Sequence, residues 1–291
     1  MKYEGAIYRP PSEAYSLILQ VTVGCSHNKC TFCGSFKDKK FRVKSFEEIR
    51  EDVEEAKEYA RYVKKVFLAD GDALIIPQKR LLPIIELVKE SFPKLERIGV
   101  YGNVKSILKK SVEELKRLKE LGVGILYLGV ESGDQVTLDR ICKGTTLEKT
   151  EQAAARVKEA GITLSVTVLL GAGGIERGSI HAEETGRFLS RIDPDYIGAL
   201  SIIVVPGTRL ADEVEKGIFE VPDPYMLLEE LAIMIENTNV THSFFAANHA
   251  SNYLPIKVWL PEEKDRAVQA IREVLSRRDP ALLRPESLRA L

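Results

Sequence analysis

Three cysteines lie close together near the start of the chain, and their thiolates are well suited to bind metal. Cys25, Cys30 and Cys33 occupy nine consecutive positions, whereas the only other cysteine, Cys142, comes roughly a hundred residues later. Three thiolates on one loop bind either Zn²⁺ or an iron–sulfur cluster. With zinc, His27 could be the fourth ligand, although structural zinc sites usually draw their ligands from two places in the chain.

An iron–sulfur cluster on this loop would leave one iron without a protein ligand. Electron carriers normally have a fourth cysteine for that iron, and Cys142 is distant in the sequence. An open iron can bind and polarise a ligand, as catalytic metal sites do at their open position. The cysteine spacing therefore favours a cluster that takes part in chemistry, with structural zinc as the alternative.

The elements that must position this loop are alternating strands and helices. Six apolar runs rich in β-branched residues, each followed by a helical pattern, predict parallel strands in an open doubly wound sheet or a barrel. Polar residues at alternate positions, such as Gln20 and Ser165, favour a barrel with a site in its interior. The alternative is that these polar groups only bond to buried backbone. The predicted strands are Leu17–Val23, Val66–Ala69, Ile98–Tyr101, Ile125–Val130, Thr163–Leu170 and Tyr196–Val205.

Capping boxes mark the starts of three helices, because Ser45, Ser111 and Thr145 each precede a glutamate by three residues. After Val205 the strand–helix repeat is lost, and no linker rich in glycine or serine follows. We predict an α/β fold with three parts. An N-terminal arm covers residues 1–13, a partial (β/α)6 TIM-like barrel covers 14–210, and a mostly helical C-terminal extension over 211–291 packs on the barrel as a lid.

Composition argues against two classes of protein. The chain has 42 Lys and Arg against 43 Asp and Glu, so its net charge is -1 and nucleic acid is not an expected partner. No stretch reaches the roughly 20 apolar residues of a membrane helix, and the first residues lack the apolar core of a signal peptide. We therefore expect a cytoplasmic protein without a membrane partner.

The cysteine loop resembles the cluster-binding signature of the radical S-adenosylmethionine superfamily. The second spacing and the aromatic Phe32 before the last cysteine match, whereas the first gap holds four residues instead of the commonest three. Gly71 and Asp72 stand where that superfamily has a Gly-Gly-Glu-like motif that holds the methionine amino group. Asp72 and Ala73 replace the second glycine and the acid there, and a carboxylate at Asp72 can still accept from an ammonium.

Further motifs extend the resemblance to about residues 14–210. The stretch around Glu131 is similar to the Gly-x-Glu-Ser stretch of the branch with anaerobic coproporphyrinogen oxidases and methylthiotransferases, where the acid binds the ribose or the methionine end. Leu170, which opens a glycine-rich turn, corresponds to backbone that lies against the adenine. Ser165 faces the predicted interior of the barrel as part of the cofactor site. Arg177 could pair with the methionine carboxylate through its planar fork, or be an ordinary surface charge.

The resemblance implies a [4Fe–4S] cluster and S-adenosylmethionine as cofactors. One electron, from a low-potential donor such as a ferredoxin or flavodoxin, cleaves the sulfonium to methionine and a 5′-deoxyadenosyl radical, which abstracts hydrogen from a small or medium-sized substrate. Oxidative decarboxylation, rearrangement and C–C bond formation all stay open. So does a different class, a non-catalytic binding or sensing protein stabilised by zinc or a cluster. Only Cys142 remains for a second cluster, and a cobalamin motif is not visible.

A neutral polar segment in the extension is the candidate substrate side. Residues 248–253 contain His249, Asn252 and Tyr253 and carry no charge, and an apolar run precedes them. Hydrogen-bonding groups on an anchored segment suit a pocket that orients a polar substrate, and His249 could act as an acid or base. The alternative is a capping loop whose side chains satisfy backbone where the extension meets the barrel.

Overall fold

A mostly parallel sheet of eight strands is the main element of the chain, and the computed structural model describes residues 1–290. This confirms the predicted α/β class. The strands are β1 (Leu17–Gln20), β2 (Thr22–Val23), β3 (Arg42–Val43), β4 (Lys65–Ala69), β5 (Arg97–Tyr101), β6 (Val123–Glu131), β7 (Thr163–Leu170), β8 (Tyr196–Ser201), β9 (Ser243–Ala246) and β10 (Lys257–Leu260). The helices are α1 (Phe46–Ala56), α2 (Gln78–Ser91), α3 (Val104–Leu108), α4 (Val112–Glu120), α5 (Gln135–Arg140), α6 (Leu147–Glu159), α7 (Gly174–Ile192), α8 (Arg209–Glu215), α9 (Pro224–Asn237) and α10 (Lys264–Arg277).

The chain divides into two compact units that interleave in the sequence. The first comprises Met1–Asn28, Ser35–Leu128 and Gln152–Leu164, and the second comprises the other described residues. This division differs from the predicted boundaries at residues 13 and 210, which remain a prediction about domain organisation.

In the first unit, β1, β4, β5 and β6 pair in parallel in that order. The first predicted strand is split, because β1 ends at Gln20 and β2 turns away to pair antiparallel with β3. On one face of these strands, alternate residues form a buried apolar cluster, as expected for a pleated strand whose side chains alternate. Its members are Ile18, Phe67, Ala69, Ile125 and Tyr127.

The N-terminal arm packs against these strands through a buried carboxylate. Glu13 is fully buried, and its Oε1 accepts hydrogen bonds from Arg97 Nη2 and from the Tyr127 hydroxyl, both at 2.5 Å. A Cβ at Gly99 would lie 3.0 Å from that oxygen, so glycine on β5 makes room for it. Because a buried carboxylate is costly unless it is paired, these bonds fix the arm to the first unit.

In the second unit, β7, β8 and β9 pair in parallel and β10 pairs antiparallel with β9. The predicted extension thus contributes two strands as well as helices, and α9 packs along α7. The short β10 lies between Pro255 and Pro261, which obscured its strand pattern in the sequence. The sixth predicted strand ends at Ser201, four residues before its predicted end.

Two of the three predicted capping boxes are confirmed. The side chains of Ser45 and Ser111 each accept from the backbone N–H three residues later, and each serine's own backbone N–H donates to the side chain of that glutamate. Before α6 the capping hydroxyl is Thr146, one residue after the predicted Thr145, and it accepts from Lys149 N at 3.3 Å.

Within residues 1–290, no helix combines the length and the apolarity that spanning a membrane requires.

Candidate cofactor site

The cysteine loop begins directly after β2, and all three of its cysteines are half-buried. Cys25 belongs to the first unit, where it lies against the loop that follows β4. A Cβ at Gly71 would stand 2.9 Å from Cys25 Cβ and 2.8 Å from Phe36 Cε2. Only glycine therefore lets the chain at position 71 approach this cysteine so closely.

Cys30 and Cys33 belong to the second unit, where backbone hydrogen bonds fix Thr31, one of the two residues between them. Thr31 N–H donates to the carbonyl of Ile141 at 3.0 Å, and Thr31 O accepts from Leu210 N at 3.0 Å. These two bonds fix the backbone of the loop at Thr31 within the second unit.

The residues around Cys33 pack tightly in the second unit. Phe32 packs on an apolar cluster that includes Leu138 and Ile202. A Cβ at Gly34 would lie 2.6 Å from Val205 Cγ1, so the chain leaves Cys33 in close contact with the segment after β8. Close backbone contact on the side of Gly34 thus fixes the chain next to Cys33 within the second unit.

No three His, Cys, Asp or Glu side chains within residues 1–290 converge where a single metal ion would be held. In a [4Fe–4S] cluster each thiolate binds its own iron. Cys25, Cys30 and Cys33 therefore remain the predicted cluster ligands.

Asp72, the predicted acceptor for the methionine ammonium, is fully buried in the first unit. Its Oδ2 accepts from Ser26 Oγ at 2.5 Å and from Asn103 Nδ2 at 2.7 Å. Its Oδ1 accepts from Ser106 Oγ at 2.7 Å and from Asn103 N at 3.3 Å. A carboxylate has about four acceptor positions, so an ammonium must replace one of these donors. The role of Asp72 as acceptor for the ammonium stays a prediction, and it requires that one of these donors be displaced.

Glu131 ends β6 with a φ of 65°, in the left-handed region that non-glycine residues rarely adopt. Its Oε1 accepts from Lys143 Nζ at 2.7 Å, and both side chains are mostly buried. Gly129 lies beneath this pair, since a Cβ there would stand 2.4 Å from Glu131 Oε1 and 2.7 Å from Lys143 Nζ. Strained backbone that places a paired carboxylate at a strand end is typical of a binding site.

Alanine at Gly129 should displace the Glu131–Lys143 pair while the fold survives, because the atoms that it meets end flexible side chains. We expect affinity for S-adenosylmethionine to fall about 10-fold. Isothermal titration of the anaerobically reconstituted protein measures this. The control is Gly198→Ala on β8, where the nearest atom to the new Cβ is the carbonyl of Val166 at 3.8 Å. Equal affinity in both variants would separate the pair from the cofactor site.

The end of β7, predicted to lie against the adenine, is held by α9, the helix of the extension that carries Glu230. Leu170 is buried and its carbonyl accepts from Ile202 N at 2.9 Å. Gly171 has a φ of 82°, and its N–H donates to Glu230 Oε2 at 2.7 Å. Burial raises the pKa of Glu230 to about 7. Ser165 is partly exposed on β7, whereas both of its neighbours in the chain are buried.

Arg177, the predicted partner of the methionine carboxylate, already has a carboxylate partner. Its Nε and Nη2 bind the two oxygens of Asp134, each at 3.0 Å. Asp134 also caps α5 by accepting from Thr137 N at 3.1 Å, and the bonds to Arg177 and Thr137 lower the pKa of Asp134 against the effect of burial. The cofactor role of Arg177 stays a prediction, and it requires this forked ion pair to open.

A buried histidine stabilises the same region. His181 on α7 is fully buried, with Nδ1 at 2.8 Å from Ser132 Oγ and Nε2 at 3.0 Å from the carbonyl of Leu169. Burial lowers its pKa from 6.5 to about 4. The folded chain therefore keeps this imidazole neutral at neutral pH.

Because the pKa of His181 is lower in the folded than in the unfolded chain, protonation favours unfolding. The contribution of the neutral imidazole to the free energy of unfolding is complete above pH 6.5 and is lost as the pH falls toward 4. The loss amounts to about 3 kcal/mol in the free energy of unfolding. Urea unfolding across this range should show that His181→Gln removes this part of the slope, whereas His242→Gln, at an exposed histidine, retains it. Parallel slopes in all three proteins would contradict the assignment.

The segment 248–253 is bonded mainly to the strand that it covers. Asn252 is buried; its Oδ1 accepts from Ser201 Oγ and its Nδ2 donates to the carbonyl of Ala199, both at 2.8 Å. The Tyr253 hydroxyl donates to Glu286, and Arg289 Nη1 donates to that hydroxyl at 2.7 Å. The contacts of Asn252 favour the capping-loop alternative, whereas the Tyr253 hydroxyl bonds to side chains of the C-terminal stretch. These contacts do not test the catalytic roles predicted for Asn252 and Tyr253, which stay predictions.

His249 differs from the other two candidates because it is only half-buried. Its Nδ1 bonds to Ser251 at 3.0 Å through Oγ and at 3.1 Å through the backbone N–H. Burial and nearby Arg284 lower its pKa. The acid–base role predicted for His249 stays a prediction.

Several contacts of the site were not identified from the sequence. Lys39 pairs with Asp70 at 2.8 Å in the first unit, and Glu230 reaches Gly171 from a helix that is 59 residues away in the sequence. In both pairs the two residues are too far apart in the sequence for a local pattern to predict the contact. Asp134, by contrast, stands three residues before Thr137 at a helix start, a capping signal that could have been recognised.

Comparison with known proteins agrees with the resemblance. Residues 19–181 match the model of the radical SAM superfamily. Hopanoid C-3 methylase of Methylococcus capsulatus is 28% identical over 153 residues, which are 52% of this chain and 28% of that protein. Bacteriochlorophyllide d C-8(2)-methyltransferase of Chlorobaculum tepidum is 24% identical over 255 residues, which are 84% of this chain and 54% of that protein. The chain thus spans about half or less of the length of these relatives.

The fold is also that of solved members of the superfamily. Coproporphyrinogen III oxidase from Escherichia coli, a radical SAM enzyme, superposes with a TM-score of 0.56 at 16% identity, over 76% of this chain and 51% of that one. This likeness confirms the predicted partial barrel. The superfamily uses a [4Fe–4S] cluster and S-adenosylmethionine. Since its model matches more than half of the residues, the chain belongs to the radical SAM superfamily.

Proposed function

We propose that the protein is an enzyme that cleaves S-adenosylmethionine reductively and uses the resulting radical on a small or medium-sized substrate. The cluster would be held by Cys25, Cys30 and Cys33, with one iron left for the cofactor. When bound, the cluster and cofactor supply a one-electron cleavage that yields methionine and a 5′-deoxyadenosyl radical able to abstract hydrogen. The superfamily match carries this proposal, because residues 19–181 include all three cysteines.

The residues of the chain would bind and orient the cofactor. We assign Glu131 to its ribose or methionine end, and Gly71 and Asp72 to the amino group. The backbone from Leu170 would lie along the adenine, with Ser165 nearby in the interior of the barrel. Phe32 would help to shape the cluster loop. Arg177 would bind the methionine carboxylate only after it releases Asp134.

The extension would exclude water from the radical. We propose that residues 211–291 act as the lid and that His249 contacts the substrate side. Exclusion matters because a primary radical attacks any C–H bond within reach, and enclosure prevents such side reactions. A low-potential protein such as a ferredoxin or flavodoxin would supply the electron, since the cleavage consumes one for each cofactor molecule.

C–C bond formation is the best supported of the reactions left open by the sequence. Two relatives are named for methylation at numbered carbons, of a hopanoid and of a bacteriochlorophyllide. Oxidative chemistry is the second candidate, because the fold is shared with a coproporphyrinogen III oxidase.

The test is formation of 5′-deoxyadenosine. The anaerobically reconstituted protein is incubated with S-adenosylmethionine and dithionite, and the nucleoside is measured by mass spectrometry. We expect slow formation without substrate in the wild type and none in Cys25→Ala. A protein that binds zinc, stays colourless and forms no 5′-deoxyadenosine would instead support the binding or sensing alternative.

A further inference from the structure

The loop that follows β4 contacts both chain neighbours of Cys25. Asp70 Oδ2 accepts from the backbone N–H of Gly24 at 3.1 Å, and Asp72 Oδ2 accepts from Ser26 Oγ at 2.5 Å. Gly24 immediately precedes Cys25 and Ser26 immediately follows it. Between the two acids, Gly71 lies against Cys25 itself, since a Cβ on that glycine would stand 2.9 Å from Cys25 Cβ. One three-residue loop thus contacts three consecutive residues of the cysteine loop.

Asp70 is held in place by a buried ion pair. Its carboxylate and the Lys39 side chain are 0% and 4% exposed, and Lys39 Nζ lies 2.8 Å from Asp70 Oδ2. The Asp70 backbone N–H donates to Thr22 Oγ1 at 3.0 Å, and Gln20 Nε2 approaches the same carboxylate at 3.4 Å. Because a buried charge is costly without its partner, Asp70 has little freedom to move away from Gly24.

Asp72 is held from the opposite side by α3 and the residue that caps it. Asn103 and Ser106 contribute three of the four donors to its carboxylate, and Ser26 contributes the fourth. Asn103 Nδ2 also donates to Ser26 Oγ at 3.0 Å. The hydroxyl next to Cys25 is therefore fixed by two groups, the Asp72 carboxylate and the amide of the residue that caps α3.

We propose that Asp70 and Asp72 are positioning residues for Cys25, which clamp its two neighbours and so fix the direction in which its Sγ meets the cluster. This inference rests on the proposed function. The carboxylates act through Gly24 and Ser26 rather than by touching the cluster. Residues that orient metal ligands in this way typically contribute about 10- to 100-fold to metal affinity.

The sharpest test is Ser26→Ala, because it removes the bond on the cysteine side and leaves Asp72 with its donors from Asn103 and Ser106. Iron release from the reconstituted protein to a chelator such as EDTA should become about 10-fold faster. Thermal melting of the iron-free protein should fall less than in Ser106→Ala, because Ser26 is half-buried whereas Ser106 is buried. Ser26→Thr, which keeps the hydroxyl, should restore slow release.

The matched control is Ser106→Ala, which removes a donor from the same carboxylate on the side away from Cys25. It should lower the melting temperature and change iron release less than Ser26→Ala does. Wild-type release from Ser26→Ala, with an unchanged electron paramagnetic resonance spectrum of the reduced cluster, would overturn the clamp alone. A wild-type protein that retains no iron at all would overturn the proposed function and the clamp together.

Discussion

Alanine at Cys25, Cys30 or Cys33 is expected to abolish cluster retention, whereas Cys142→Ala retains it. The wild type should hold about four irons per chain after anaerobic reconstitution and desalting. In the proposed site each loop cysteine would bind one iron, so two remaining thiolates would be too few to hold the cluster through desalting. Iron and sulfide assays together with the visible spectrum measure the loss.

Cys142 is the matched control because it is another half-buried cysteine of the same chain. Its Sγ lies 3.6 Å from Arg209 Nη1, and its residue has a φ of 53°. If Cys142→Ala lost iron as the loop variants do, the cluster would have four cysteine ligands and no open iron. The proposed cofactor chemistry would then be wrong, since it needs that position for S-adenosylmethionine.

Replacing Glu131 with glycine is expected to weaken S-adenosylmethionine binding while the protein stays folded. The loss of a charge-assisted bond costs about 1.5–3 kcal/mol, or about 10- to 100-fold in affinity. Glycine adopts the φ of 65° at this position without strain, which offsets the lost ion pair with Lys143. We therefore expect the free energy of unfolding to fall by no more than about 2 kcal/mol.

The control for Glu131 is Glu176→Ala, which removes an acid of the same unit whose side chain is 82% exposed. Titration calorimetry gives the affinity of each variant, and urea unfolding gives its stability. Wild-type affinity in Glu131→Gly would exclude Glu131 from the cofactor site. A large fall in stability together with the fall in affinity would show instead that the carboxylate mainly holds the end of β6.

Local patterns predicted the elements of this fold well because strands and helix caps depend on residues that are close together in the sequence. All six barrel strands were found from apolar runs, and Ser45 and Ser111 cap helices as their spacing indicates. The resemblance placed Glu131 at a strand end, where it lies. The sequence could not show that its backbone is left-handed there, since that conformation depends on the contacts of the folded chain.

The side-chain partners of the site were not predictable because they are distant in the sequence. In the sequence Asp72 looks like a carboxylate that is available to a ligand. In the fold it accepts hydrogen bonds from Asn103 and Ser106, which lie 31 and 34 residues further along the chain. Asn252 appears as a polar pocket residue, yet it satisfies backbone 53 residues earlier at Ala199. In both cases burial requires a polar group to find a partner, and only the fold determines which partner is near.

The most direct test of the open iron is the electron paramagnetic resonance spectrum of the dithionite-reduced protein, recorded with and without S-adenosylmethionine. A cofactor that binds the iron without a cysteine must change the g-values of the reduced cluster. We predict this change in the wild type and in Cys142→Ala alike. An iron-loaded wild type whose spectrum is identical with and without S-adenosylmethionine would contradict the central claim.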